Sequence, residues 1–386
     1  MLLSPSDAAQ RILASIVPLP SEDCALGSAH GRVVRKDLHS DRALPPFDRV
    51  TMDGYATRSR VFAAAAIDAP ITLKVQGAPQ MAGMIARSLP EADDTCIEVM
   101  TGAVLPQGAD CVVPYEDTQR EPNASVITLP PGSAQKFREG TFVHRRGSDL
   151  PANSVIVKAG TRLSGREIAV AAACGHAGVR VSALPRLAVV STGDELVDIS
   201  SAVAPHQIRR SNDIALRATL IQAGYSYVDS SHLRDVPAEI SNGLGRLLAS
   251  CDALIITGGV SKGRHDHIPS TLTALGVTAV FHGVAQRPGK PFWFGMSPRR
   301  KPVFALPGNP VSCFTCLHQY VLPALRSMSG LPPQPPHWVV LSQEFSALPK
   351  MTSFVPVHLR SQADGRVLAQ PDPFNTSGDF AGLVGT

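Results

Sequence analysis

The stretch that most restricts the fold is LIITGGVSKGRHDH, Leu254–His267. The apolar run Ala253–Thr257 is rich in β-branched residues and stops at Gly258-Gly259, before a polar loop with Ser261, Lys262, Arg264, His265 and Asp266. A strand without polar interruption is buried on both faces, as in a parallel sheet. Its loop then lies at the carboxyl edge, where open α/β sheets bind ligands.

The same arrangement recurs nearby. Leu187–Val190 runs into Ser191-Thr192-Gly193-Asp194-Glu195, Phe281–Ala285 into Arg287-Pro288-Gly289-Lys290-Pro291, and Val303–Leu306 into Pro307-Gly308-Asn309-Pro310. Between them, Asn212–Ala223 closed by Gly224, Pro237–Ala249, and Val311–Ser327 ending near Gly330 have helical spacing. Strand alternating with helix predicts a doubly wound α/β domain over residues 184–330.

A chain of 386 residues is too long for one core, so two to four domains are expected. Ser4-Pro5-Ser6-Asp7 starts a helix over Ala8–Ile16. Short apolar runs at Ile71–Val75, Cys96–Val99, Cys111–Pro114 and Val126–Leu129 predict a mostly β domain over residues 45–144. The prolines at 332, 333, 335 and 336 mark a linker, followed by a small C-terminal β domain over residues 331–386, with strands near Trp338–Leu341, Phe354–Leu359 and Arg366–Ala369.

A net charge of +4 gives no reason to expect nucleic acid. No apolar run reaches membrane-spanning length, and Met1–Pro20 lacks the pattern of a signal peptide, so a cytoplasmic protein is expected. Seven cysteines at irregular spacing suit reduced thiols. Cys313 and Cys316 fall on one face of an apolar helix, which favours two buried thiols over a redox or zinc pair.

Glycines at strand ends let backbone N–H groups approach a ligand, so Gly258-Gly259 and Pro307-Gly308-Asn309, with Arg287, Lys290, Lys262 and Arg264 adding charge, suit a phosphate or another oxyanion. Carboxylates beside such a site commonly work through magnesium, and Asp53, Asp194, Glu195 and Asp266 all stand beside glycines or in loops. No P-loop is present, and no G-x-G-x-x-G follows a strand. His265-Asp266-His267 offers three zinc donors but no fourth nearby in sequence.

STGDEL, TGGVS, PGKP and LPGNPVS, in this order, follow Pro46-Phe47-Asp48, Met52-Asp53-Gly54-Tyr55-Ala56, Met100-Thr101-Gly102-Ala103 and Arg145-Arg146-Gly147-Ser148-Asp149. Together they resemble the molybdopterin molybdotransferase (molybdenum insertase) family, which includes the E domain of gephyrin. The resemblance implies four domains: a discontinuous elongated one over residues 4–44 and 145–183, the β domain, the molybdopterin-binding α/β domain and the C-terminal β domain. It further implies a homodimer that inserts molybdate into adenylated molybdopterin with release of AMP. Asp53, Thr101, Glu195 and Asp266 would be catalytic, with Glu195 and Asp266 holding Mg2+. Gly258, Gly259, Ser261, Arg287, Lys290, Pro307, Gly308, Asn309, Pro310, Asp149, Arg210 and Arg264 would bind substrate. A non-catalytic carrier or scaffold, and a molybdopterin adenylyltransferase, are the alternatives; the latter enzyme is also a candidate partner. Four places depart from the family pattern: Arg210 stands for a usual aspartate, Lys262 and Arg264 flank Gly263 in place of a Val-Gly-acid sequence, Val50 replaces a serine and His144 an arginine.

Overall fold

The computed structural model describes residues 2–122, 124–260, 267–346, 348–372 and 376–384. Two compact units emerge: Asp37–Lys158 with Ala169–Ala177, and Met1–Lys36 with Ala159–Ile168 and Gly178–Thr386. Among the described residues no helix is long and apolar enough to cross a membrane.

The second of these units is built on a six-stranded sheet of β1 (Arg186–Thr192), β2 (Tyr227–Leu233), β3 (Ala253–Thr257), β4 (Thr278–His282), β5 (Trp293–Met296) and β6 (Pro302–Leu306). Their spatial order is β2-β1-β3-β6-β5-β4. The first four in this order run parallel, while β5 is antiparallel to both β6 and β4. All five residues of β3 are buried. Leu187, Val189, Ile255 and Phe304 enter one core, and Ala188, Val190, Ile256 and Val303 the other. Successive side chains on a strand point to opposite faces, so apolar residues at every position secure helix packing on both sides. Each such Val, Leu, Ile or Phe contributes about 1.5–3 kcal/mol when fully buried. Ser4 caps the first helix, Pro5–Ser15, whose Ala8 and Ile12 join the first core.

Two expectations need correction. The edge strand ends at His282, not Ala285, because Gly283 turns the chain and Val284-Ala285 bond instead to Leu3. The segment leaving it forms a connection between antiparallel strands, within which Gln286-Arg287 pairs with Thr352-Ser353. The last helix is also not continuous: Pro310–Cys316 and Leu322–Met328 flank a π-helical turn, Leu317–Val321. Pro323 has no N–H for the carbonyl four residues back, and its ring crowds that turn. The C-terminal strands are Val340–Leu341, Val357–Ser361 and Val367–Pro371, joined in one small sheet.

In the other unit, Gly54–Thr57 lies between Cys111–Pro114 and Thr95–Val99 in a five-stranded sheet completed by Ile71–Val75 and Val126–Leu129. Gly54 is required there, since a Cβ would lie 2.0 Å from the Val113 carbonyl oxygen. The close strand approach fixes Asp53 at the strand's entrance.

Candidate functional site

A cleft of about 680 Å³ opens at the carboxyl ends of β1, β3 and β6. Of the residues expected to bind substrate, it gathers Arg210, Gly258, Gly259, Pro307, Gly308, Asn309 and Pro310, with Glu195 on its wall. Gly258 has φ +99°, and a Cβ there would lie 2.8 Å from the Thr192 carbonyl oxygen, so only glycine lets β3 leave the sheet so close to β1. Asn212 Nδ2 donates to Thr257 Oγ1 at 3.1 Å and to the Gly308 carbonyl at 2.7 Å. One amide thereby ties the start of helix Asn212–Gln222 to the ends of two strands.

Six buried side-chain polar atoms lack a hydrogen-bond partner among the described residues, and five belong to the cleft: Ser191 Oγ, Thr192 Oγ1, Arg210 Nε, Asn212 Oδ1 and Asp213 Oδ1. Ser191, Thr192 and Asp213 are nearly inaccessible, at 2%, 4% and 0% exposure. An unpaired buried group costs about 1–3 kcal/mol, so this concentration leaves the cleft with unused hydrogen-bonding capacity among the described residues. No local motif singles out Ser191, Thr192, Asn212 and Asp213, ordinary polar residues at a strand end and a helix start.

Arg210 is paired. Its Nη2 donates to Asp213 Oδ2 at 2.6 Å, and the same oxygen accepts from Ser230 Oγ at 2.6 Å. Burial raises the Asp213 pKa, but Arg210 and Ser230 outweigh it and hold the carboxyl below its usual range. The i,i+3 spacing of Arg210 and Asp213 was visible in the sequence. Arg210 therefore brings a neutral pair, rather than a bare cation, to the cleft.

Arg287 and Lys290 are exposed and do not line the cleft, although Pro291 does. Ser261, Lys262, Arg264, His265 and Asp266 lie outside the described residues. Asp194 Oδ1 accepts from Asp235 N at 3.2 Å and faces Arg234 Nε at 3.5 Å, whereas Glu195 is exposed and its carboxylate makes no hydrogen bond or ion pair among the described residues. Among the described residues no three His, Cys, Asp or Glu side chains gather as a metal cluster, and Asp213 is held by Arg210. Cys313 and Cys316 are fully buried, and burial raises the Cys313 thiol to about 12.

The other unit carries a second polar cluster. Asp53 Oδ1 accepts from Thr101 N at 2.6 Å and Thr101 Oγ1 at 2.7 Å, bonds that lower the Asp53 pKa. Asp149 Oδ1 lies 2.7 Å from His144 Nε2, whose Nδ1 lies 3.1 Å from Arg49 Nη2. Arg145 reaches Asp48 at 3.0 Å, and Val50 is wholly buried. Glu98 also takes Tyr115 Oη at 2.7 Å and Arg120 Nη1 at 2.9 Å.

A doubly wound sheet with a polar, incompletely bonded cleft at its carboxyl edge is the architecture in which open α/β proteins hold small ligands. Comparison with known proteins narrows this class. Residues 3–175 match the MoeA N-terminal region (domain I and II), and residues 188–327 the probable molybdopterin binding domain. Molybdopterin molybdenumtransferase of Synechocystis sp. is 37% identical over 365 residues, 93% of this chain and 87% of that protein. The Bacillus subtilis protein of the same name is 30% identical over 94% of this chain and 84% of its own. The crystal structure of the molybdopterin biosynthesis MoeA protein from Pyrococcus horikoshii OT3 superposes with a TM-score of 0.82 at 26% identity, covering 100% of this chain and 93% of that one. The chain belongs to the molybdopterin molybdenumtransferase family, MoeA.

Proposed function

We propose that this chain is a transferase of molybdenum cofactor biosynthesis that binds adenylated molybdopterin in the cleft at the ends of β1, β3 and β6, inserts molybdate and releases AMP. The observation that carries this reading is the set of unpaired buried polar atoms converging on that cleft in a chain of this family. Ser191, Thr192 and Asn212 would complete their hydrogen bonds with the ligand, and the glycine turns would admit it close to the backbone. The reactive thiolates and the leaving AMP belong to the substrate. The protein's work is to hold two mutually repelling anions in register, which is positioning and electrostatic catalysis. Glu195, exposed and uncommitted on the cleft wall, is the described acid best suited to act there, and the family resemblance adds Asp266, which lies outside the described residues.

Magnesium dependence is expected to be weak, because Arg210 occupies the acid's place and is already balanced by Asp213. Asp53 and Thr101 would face the α/β domain of a second copy in a homodimer; a monomeric mass at micromolar concentration with full activity would refute this. The four-domain division is part of the same reading, as is a cytoplasmic location, where the seven thiols stay reduced. The test is incubation of the purified protein with adenylated molybdopterin, with and without molybdate. Molybdate-dependent AMP release is the expected result. Tight binding without release would favour a carrier, and adenylate formation from ATP an adenylyltransferase.

A further inference from the structure

The strand ends of the sheet do not enclose the cleft alone. Residues 376–384, beyond the small C-terminal sheet, return to the start of helix Pro310–Cys316. Asn309 Nδ2 donates to Ser377 Oγ at 2.7 Å, and Val311 N donates to the Ser377 carbonyl at 3.1 Å. Phe380 packs on Phe314 with ring centroids 5.5 Å apart. Gly378, adjacent to Ser377, lines the cleft.

These contacts give the Pro307–Asn309 loop two clamps. From one side Asn212 Nδ2 holds the Gly308 carbonyl, and from the other Ser377 holds the Asn309 amide. Asn309 occupies the cap position of the helix but makes no side-chain capping bond; its side chain is bonded to Ser377, and the Ser377 carbonyl takes the Val311 N–H that a cap would otherwise serve. A loop fixed before the ligand arrives leaves less to be ordered on binding.

We infer that residues 376–384 are a working wall of the substrate cleft and that Ser377 is a positioning residue for Asn309, an inference that rests on the proposed ligand. Ser377 touches the loop and not the acid Glu195, so its loss should weaken binding more than turnover. The test uses the full chain, with AMP as probe in calorimetric titration and AMP release as the rate assay. Loss of one hydrogen bond corresponds to roughly a fivefold effect. Ser377→Ala should raise both the AMP Kd and the KM for adenylated molybdopterin by about that factor, with kcat nearly unchanged. Ser377→Thr, which keeps the hydroxyl, should restore both, and Phe380→Ala, which undocks the segment away from the cleft, should shift them in the direction of Ser377→Ala. If the natural protein binds AMP and both Ser377→Ala and Phe380→Ala match it in Kd and KM, the inference is overturned while the function stands. If the natural protein neither binds AMP nor releases it, the function falls and the inference with it.

Discussion

The two polar clusters of this chain are built in opposite ways. In the cleft, Ser191, Thr192, Asn212, Arg210 and Asp213 are drawn into the protein with bonding capacity left over. In the unit of Asp37–Lys158, Asp53 is bonded by Thr101, Asp149 by His144 and Asp48 by Arg145, largely at the surface. Unpaired polar groups are costly in the interior and cheap where water reaches them. The cleft therefore keeps unused bonding capacity, which the proposed ligand would take up, whereas the exposed cluster is preorganised by its own side chains.

That contrast can be tested by substitutions, beginning with the largest effect. Asp213→Asn keeps the shape but leaves Arg210 without its countercharge, and breaking such a buried pair should cost about 3 kcal/mol in urea unfolding at pH 7. The pH dependence follows from the lowered Asp213 pKa. Its stabilisation is present above the unfolded carboxyl value of about 4 and is lost as pH falls through the lower folded value. Asp213→Asn should thus flatten the acid limb of the stability curve; an unchanged urea midpoint would mean that the pair does not support the fold.

Glu195→Gln, at an exposed carboxylate, should leave stability within about 0.5 kcal/mol while turnover falls roughly 100-fold. Normal turnover would remove Glu195 from the mechanism. Arg210→Asp would set an acid beside Asp213, where a unit charge pair at about 6 Å and an effective dielectric near 20 is worth nearly 3 kcal/mol before screening. Calorimetric AMP titrations should show about a tenfold magnesium effect in this variant and little in the natural chain; strong dependence in both would place Arg210 outside the site. The smallest change is expected for Thr101→Val, which removes one of two donors to Asp53. NMR titration should find the Asp53 pKa risen part way toward its usual value, and an unmoved pKa would show that the hydroxyl bond is not made.

Much of this was legible from local pattern. Ala253–Thr257 was readable to the residue because each position is apolar or β-branched and each is buried. Val284-Ala285 looked equally strand-like, yet its partner is Leu3, some 280 residues away in the chain, and no local pattern announces such a pairing. Arg210 was recognised as a departure, but reading it as a bare charge ignored Asp213 one helical turn later. The approach of Ser377 to Asn309 spans 68 positions and involves two ordinary polar residues, so only the fold reveals it.

On the proposed function, the buried, unpaired groups of the cleft hold the ligand. Hydrogen–deuterium exchange of the full chain, with and without adenylated molybdopterin, tests it most directly. Added ligand should slow exchange in the segments 191–195, 208–213, 257–260 and 307–311. Saturating ligand that leaves all four segments exchanging at their original rates would contradict the account.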